Sequence, residues 1–328
     1  MAESQIKENI FLKPPPIRRG VYVQAESSGF QNQDHTNEVF SEKWSAFCQS
    51  DSDESDPRKK RQYQWYLTLY GYTCEQDLAN TLRKQRVILD AGCGLGYKAA
   101  WFARLAPDSL IVCMDFSDAI FSAAERYQDY PNIVFVKGDI ANTGFRAGEI
   151  DMVNCDQVLH HTESPQQTLH EFSRITKASG LLHAYVYARK ALPRELLDDH
   201  FRELSKKMTH EEIWALSEQL TELGKTLAEL QVSIDVPEIP ALGIKRGKQN
   251  IQRFVYWNFL KCFWNEELGR ESSISANFDW YSPSNAFRYD KEKFIGMCKN
   301  AGWGNEFLHM EEACWSGRFI KQNRKDGS

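Results

Sequence analysis

No stretch of this 328-residue chain approaches the length of a membrane-spanning helix, and its first residues, MAESQIKENIFLKPPPIRRG, hold no apolar segment of the signal-peptide kind. A cytoplasmic protein with no membrane partner is expected. Positive charge is not in surplus either: 45 acidic against 40 basic side chains leave a formal charge of −5, so no basic field is present to hold a nucleic-acid backbone. The eight cysteines (Cys48, Cys74, Cys93, Cys113, Cys155, Cys262, Cys298, Cys314) stand singly with no C-x-x-C pair, which argues against a zinc cluster and a disulfide framework. His160 and His161 are adjacent, and neighbouring side chains on a strand or loop diverge, so no metal site is expected. Internal repeats are lacking too.

What is present is an alternation of short elements. Residues 1–63 read as a polar, broken extension, with Pro14-Pro15-Pro16 and the charge-segregated run DSDESDPRKKR as a solvated loop. From Gln64 to Arg86 apolar residues fall at helical spacing. RVILDA, LIVCMDFS, IVFVKGDI, IDMVNCDQVL and LLHAYVYARK then read as strands. GYKAAWFARLAP, DAIFSAAERYQDY and SPQQTLHEFSRITKASG read as the helices between them, the last stopping at Gly180. Such alternation predicts a doubly wound α/β core over 64–190, with a parallel sheet covered on both faces. Residues 191–275 carry helical periodicity broken at Pro237, Pro240 and the basic turn GIKRGKQN, and are expected to form a helical lid inserted after the fifth strand. Residues 276–328 return to the core with a helix and two closing strands, NEFLHMEEA and GRFIKQ, paired antiparallel at one edge.

The most informative segment is VILDAGCGLG, residues 87–96. In a doubly wound sheet the ligand lies beyond the carboxyl ends of the strands where the strand order reverses. Gly92, Gly94 and Gly96 remove Cβ atoms there, and the helix that follows directs its free N–H groups at an anion. A dinucleotide fingerprint requires G-x-G-x-x-G, but counting from Gly92 the third glycine site holds Tyr97, so NAD and FAD are disfavoured. A ligand bearing both an ammonium and a carboxylate suits an acid-then-glycine turn: Asp90 attracts the amine, and the turn amides with Cys93 and the helix end take the carboxylate. S-adenosylmethionine is such a ligand. Asp115, ending the second strand, can accept from both hydroxyls of a ribose. Asp139, ending the third, can accept from the adenine amine, with Phe116 and Ile140 as apolar faces for the ring.

With these motifs in order, residues 86–190 resemble the class I S-adenosylmethionine-dependent methyltransferase family. ILDAGCGLG matches its first motif, MDFS its ribose acid, GDI its adenine acid, and VLHHTESPQQTLHEFSRITKASGLL its fourth strand, following helix and fifth strand. The resemblance implies a Rossmann-like sheet of seven strands, six parallel and the last antiparallel, S-adenosylmethionine as cofactor, and Asp156 of CDQVLHH among its contacts.

Methyl transfer asks the protein to position donor and acceptor, exclude water and, for a protonated acceptor, remove a proton. His160 is the candidate base and His161 a neighbouring contact. The aromatic-rich stretches FVYWNFLKCFW and ANFDWYSPSNAFRY offer Phe254, Tyr256, Trp257, Trp280 and Tyr281 as walls of an acceptor pocket, with Arg288 for an acidic group. Trp44, Trp65 and Tyr66 are candidates to close over the cofactor. The chain lacks the Asn/Asp-Pro-Pro-aromatic element of base-amine methyltransferases and a Pro-Cys nucleophile pair. A small-molecule acceptor is therefore expected and nucleic acid is not; the other partner admitted is a second copy of the chain. Two alternatives stand beside this reading: another transfer from the same or the decarboxylated cofactor, of aminopropyl type, and a non-catalytic regulatory or assembly partner that binds the cofactor.

Overall fold

The computed structural model describes residues 10–24, 26–47 and 57–322. Two units emerge from the contacts: Met1–Tyr187 together with Phe287–Ser328, and Ala188–Ala286.

The first unit is built on β1 (Ile17–Arg18), β2 (Val21–Val23), β3 (Val87–Ala91), β4 (Leu110–Asp115), β5 (Ile133–Lys137), β6 (Ile150–Cys155) and β7 (Thr176–Ala188), completed by β10 (Arg288–Tyr289), β11 (Trp303–Met310) and β12 (Cys314–Lys321). Their order is β1-β2-β5-β4-β3-β6-β7-β12-β11, with β10 beside β7. Strands β2 to β7 run parallel, while β12 is antiparallel to both β7 and β11. Among the described residues the sheet thus has ten strands where seven were expected. The order reverses at β3, whose five residues are all buried.

Alternate residues of these strands feed two cores. Val87 and Leu89 join Leu169, Phe172 and Phe294, from α6 (Pro165–Ile175) and α11 (Lys291–Asn300). Ile88 and Ile111 join Tyr66, Leu78, Trp101 and Ile120, from α2 (Pro57–Leu69), α3 (Glu75–Leu82), α4 (Tyr97–Leu105) and α5 (Ala119–Arg126). Both faces are covered, which is why the parallel strands read as nearly unbroken apolar runs.

Three local expectations are corrected. The N-terminal stretch is not a mere solvated preface: β1 and β2 extend the sheet past β5, and α1 (Gln31–Phe47) follows. Of the DSDESDPRKKR run, residues 51–56 lie outside the described residues, and the rest opens α2. Nor does the sixth helix run to Gly180. It ends at Ile175, and Thr176 already pairs with Ile150, because a β-branched pair favours the extended backbone; a bulge then carries the chain to the Met152–Leu181 pairing.

The second unit is not purely helical either. It holds α7 (Leu192–Ser205), α8 (His210–Glu229), α9 (Ile251–Asn258) and α10 (Gly269–Tyr281), and the basic turn lies in a hairpin of β8 (Ser233–Val236) with β9 (Gly247–Asn250). Thr209 and Glu212 form a reciprocal capping box at the start of α8. The unit extends to Ala286 because α10 packs into it: Asn277 Nδ2 donates to Thr221 Oγ1 (2.8 Å) and to the Phe263 carbonyl (3.1 Å). Ser205 Oγ donates to the Tyr281 carbonyl (2.7 Å).

The N-terminal strands depend on Phe11, which is fully buried, bridges to Phe145 through the backbone, and sets its ring 5.1 Å from Tyr22 and 5.3 Å from Phe145. Phe11→Ala should cost about 3–5 kcal/mol in urea unfolding, the range for an aromatic in a close-packed core. A loss below about 1 kcal/mol would place this segment outside the core.

Candidate functional site

Register brings the site together. Asp90 pairs with Asn154, Asn154 with His183, and His183 with Arg318, so β3, β6, β7 and β12 carry one polar row across the sheet. Above it lie tyrosines from α2 and the turn that follows. Tyr72 donates to His183 Nε2 (3.1 Å), and His183 Nδ1–H donates to the Tyr66 hydroxyl (2.7 Å). Tyr66 then donates to Asn154 Oδ1 (2.8 Å), and Asn154 Nδ2 to Asp90 Oδ1 (2.7 Å). This directional reading assigns the His183 tautomer from its partners. A neutral ring is required, and burial, helped by Arg318, pushes its pKa down to about 3. Tyr70 stacks on the same ring, centroids 4.6 Å apart at 11°.

The row ends on Asp90, whose second oxygen, Oδ2, is buried and has no hydrogen-bond partner among the described residues. Burial pushes the Asp90 pKa up to about 6, against the pull of Lys98 and the Asn154 hydrogen bond. Lys98, on the first turn of α4, forms an ion pair with Asp156, which also accepts from Tyr70 (2.8 Å). Burial would lower the Lys98 pKa, but the attraction of Asp156 and Asp90 outweighs it and raises the value. A buried carboxylate oxygen without a partner, beside a lysine already paired elsewhere, has the capacity to accept one more donor.

The glycine turn departs from expectation in one respect. Gly92 and Cys93 donate their N–H groups to the Met114 carbonyl (2.8 and 3.1 Å), Gly96 to the Cys93 carbonyl (2.9 Å), and Gly94 to Asp115 Oδ2 (2.7 Å). The amides of Gly92, Cys93 and Gly94 hold the turn against β4 and that of Gly96 closes the turn on itself, so these four do not face a ligand carboxylate. Gly92 is obligatory: its φ is +78°, and a Cβ there would come within 2.5 Å of Val158 Cγ1. Cys93 is buried, as is Cys113 opposite it, and burial raises both thiol pKa values.

Asp115 Oδ1 accepts from both the Ser117 N–H (2.8 Å) and its hydroxyl (2.5 Å), and burial raises the pKa of this carboxyl. Phe116 follows it, half-buried. Asp139 Oδ1 caps Ala141 N (2.8 Å), Ile140 is in the core, and Asp139 borders a cavity of about 660 Å³ lined also by Phe30, Asn142, Gln167 and His170. Asp90, Asp115 and Asp139 thus stand at or just past the carboxyl ends of β3, β4 and β5, three neighbouring strands.

Helix α1 lies along this edge. Gln33 accepts from Glu163 N (2.7 Å), Ser41 from Asp118 N (3.0 Å), Phe40 meets the His161 ring at 5.1 Å, and Trp44 approaches Gly94 so closely that a Cβ there would be 3.2 Å from the indole. Trp44 lies against the turn. Trp65 donates to Glu311 (3.3 Å), and Tyr66 lies above the row with its hydroxyl bonded to Asn154 and His183.

His160 is enclosed, its ring 3.8 Å from that of Tyr187 and 4.2 Å from that of His161, while its carbonyl accepts from Phe287 N (2.9 Å). Arg288 lies in β10 of the first unit, whereas Tyr256, Trp257, Trp280 and Tyr281 belong to the second, and Phe254 packs there beside Val236 and Ile244. Residues not singled out by the sequence reading are Lys98, Asn154, Tyr70, Tyr72 and His183. Their signal was the polar residue inside each apolar strand, the Asn of IDMVNC and the His of LLHAYVY, at matched depth from the carboxyl ends.

A family profile described as a methyltransferase domain matches residues 89–184. An uncharacterized protein of Synechococcus sp. is 36% identical over 105 residues, 31% of this chain and 25% of that protein. An uncharacterized chloroplastic methyltransferase of Arabidopsis thaliana is 30% identical over 107 residues, 30% of each chain. A malonyl-(acyl-carrier protein) O-methyltransferase of Legionella pneumophila is 34% identical over 98 residues, 30% of this chain and 34% of that enzyme. The matches span a quarter to about a third of these relatives' length. The matched stretch, similar to a methyltransferase domain, contains the point where the strand order reverses at β3 and the three carboxylates beside it.

Proposed function

We propose that the chain transfers a methyl group from S-adenosylmethionine to a small-molecule acceptor. The observation that carries this reading is the open, buried Asp90 Oδ2 at the switch point, in series with Asp115 and Asp139. Asp90 would hold the ammonium, Asp115 the ribose hydroxyls and Asp139 the adenine amine. When bound, the cofactor supplies an electrophilic methyl on sulfur. The work of the chain is then to orient, and to exclude water: the tyrosine–histidine–asparagine row keeps Asp90 in one rotamer, and Trp44 with Phe40 shields the turn. A formal charge of −5 favours a small acceptor over a nucleic acid.

Isothermal calorimetry should show S-adenosylmethionine and S-adenosylhomocysteine binding, and no binding of NAD. Asp115→Ala should weaken the former by about tenfold or more, since charge-assisted hydrogen bonds are worth about 1.5–3 kcal/mol each. Absence of binding by the wild type to either adenosyl compound sinks the reading.

A pH dependence follows from Asp90. Because the folded pKa, about 6, lies above the ordinary 3.8, the folded state holds this proton more tightly than the unfolded one, and stability drops as pH rises from about 4 to 6. The full cost, about 3 kcal/mol at about 1.4 per unit, is present above pH 6. Asp90→Asn should therefore flatten the loss of ligand-free stability between pH 4 and 7, seen in urea titrations at each pH. The affinity of the wild type for S-adenosylhomocysteine should rise over the same window as the carboxylate ionises. Parallel profiles for the two proteins would remove Asp90 as the group responsible.

Tyr66→Phe breaks the row without changing its packing. It should weaken S-adenosylhomocysteine while leaving 5′-methylthioadenosine, which has no amino-acid part, within about twofold. Equal weakening of both would mean that Tyr66 acts only on the fold.

A further inference from the structure

The second unit buries more positive charge than negative. Its buried charged side chains among the described residues are Arg194, Arg202 and Lys261 against Asp198 alone. Arg194 is fully enclosed: Nε donates to both Asp198 oxygens (2.9 and 2.8 Å), Nη1 donates to the Tyr256 carbonyl, and Nη2 has no hydrogen-bond partner. Arg202 donates to the Pro283 carbonyl (2.8 Å). Lys261 Nζ donates to the Tyr256 hydroxyl (3.2 Å), a neutral group.

Aromatic faces gather these cations. The Trp280 ring has Lys261 at 4.8 Å, Arg194 at 5.1 Å and Lys190 at 5.8 Å, and the Tyr256 ring has Lys261 at 5.3 Å and Arg194 at 5.4 Å. Lys190 also lies 5.3 Å from Trp257. A second acid, Glu195, accepts the Lys190 backbone N–H (2.8 Å). Ring faces attract a cation but do not neutralise it, and like charges around one indole repel each other in a medium of low dielectric. Uncompensated buried charge is costly unless something pairs with it. The free Nη2 of Arg194 and the ammonium of Lys261 both lie near the Trp280 ring.

We propose that this cluster binds an anionic group, a carboxylate or a phosphoryl group. Arg194 supplies a directional donor already fixed by Asp198, Lys261 a mobile point charge, and the rings of Trp280 and Tyr256 keep water from competing.

The test uses the full chain. Inorganic phosphate and benzoate are titrated separately, each against sodium chloride at equal ionic strength, with melting temperature and tryptophan emission as readouts. At least one anion should raise the melting temperature and shift the emission, and the one that does so names the source. Lys261→Met should weaken that anion by about tenfold or more, while Lys261→Arg retains it and S-adenosylhomocysteine affinity stays within about twofold in both. No response of the wild type to either anion up to about 50 mM, or an unchanged response in Lys261→Met, overturns the site. Should Lys261→Met fail to fold, Lys261→Gln is read in its place, by the same criterion.

Discussion

A carboxylate placed inside a parallel sheet has to be kept there, and much of the first unit is arranged to do so. Asp90 is 3% exposed, on a strand whose other residues are apolar. A buried charge of this kind needs hydrogen bonds from groups that are themselves satisfied, because a half-satisfied network costs more than an apolar core. The sheet supplies them sideways. Each donor toward Asp90 is on the next strand or on the helix above, and each receives from the one behind it, back to Tyr72. Arg318, at the far end of the row, lies with its guanidinium 4.9 Å from the Tyr72 ring and opposes protonation of His183. It helps to keep the imidazole neutral, and a neutral imidazole can pass a hydrogen bond along by donating at one nitrogen and accepting at the other.

Each unit buries charged side chains. Among the described residues the first buries Asp90 and Asp156 with Lys59 and Lys137 and leaves Asp90 Oδ2 open; the second buries Arg194, Arg202 and Lys261 with Asp198 and leaves Arg194 Nη2 open. Neither arrangement is what maximal stability would select, since well-packed apolar residues of similar volume are often as stable or more so. Retaining such charges is the pattern of residues kept for what they bind.

The motifs of the first unit were legible because their chemistry is local. The acid, the alternate glycines and the following helix occupy ten consecutive residues, and the acids at 115 and 139 each close an apolar run. The network beneath them was not legible, because Asn154, His183 and Tyr66 meet only through register and helix placement, which no local pattern encodes. Tyr66 was noticed as a candidate cover for the cofactor, but its bonds to Asn154 and His183 were not foreseen: apolar spacing on α2 does not say where a hydroxyl points. The N-terminal strands escaped because β1 and β2 are two and three residues long, too short for alternation to show. The β8–β9 hairpin escaped because SIDV and GKQN are poor in the β-branched and aromatic residues that mark strands. In the second unit the aromatics were picked out, whereas their common centre, Arg194, was hidden in a stretch whose charges read as solvated.

The place of β12 has a consequence for how the protein comes into being on the ribosome. This strand lies between β7 and β11, and it brings Arg318 to the end of the polar row, yet it is made after nearly everything else in the fold, more than a hundred residues later than β7. Until residues 314–321 emerge, β7 is an uncovered strand edge with His183 in it, and the second unit, Ala188–Ala286, and the elements after it separate β7 from its partner. The nascent chain must carry that open edge through the whole interval, during which a foreign strand or a second nascent copy competes for the same pairing. A chain halted before Cys314 would hold the glycine turn and all three aspartates, and still lack the strand that closes the sheet around them.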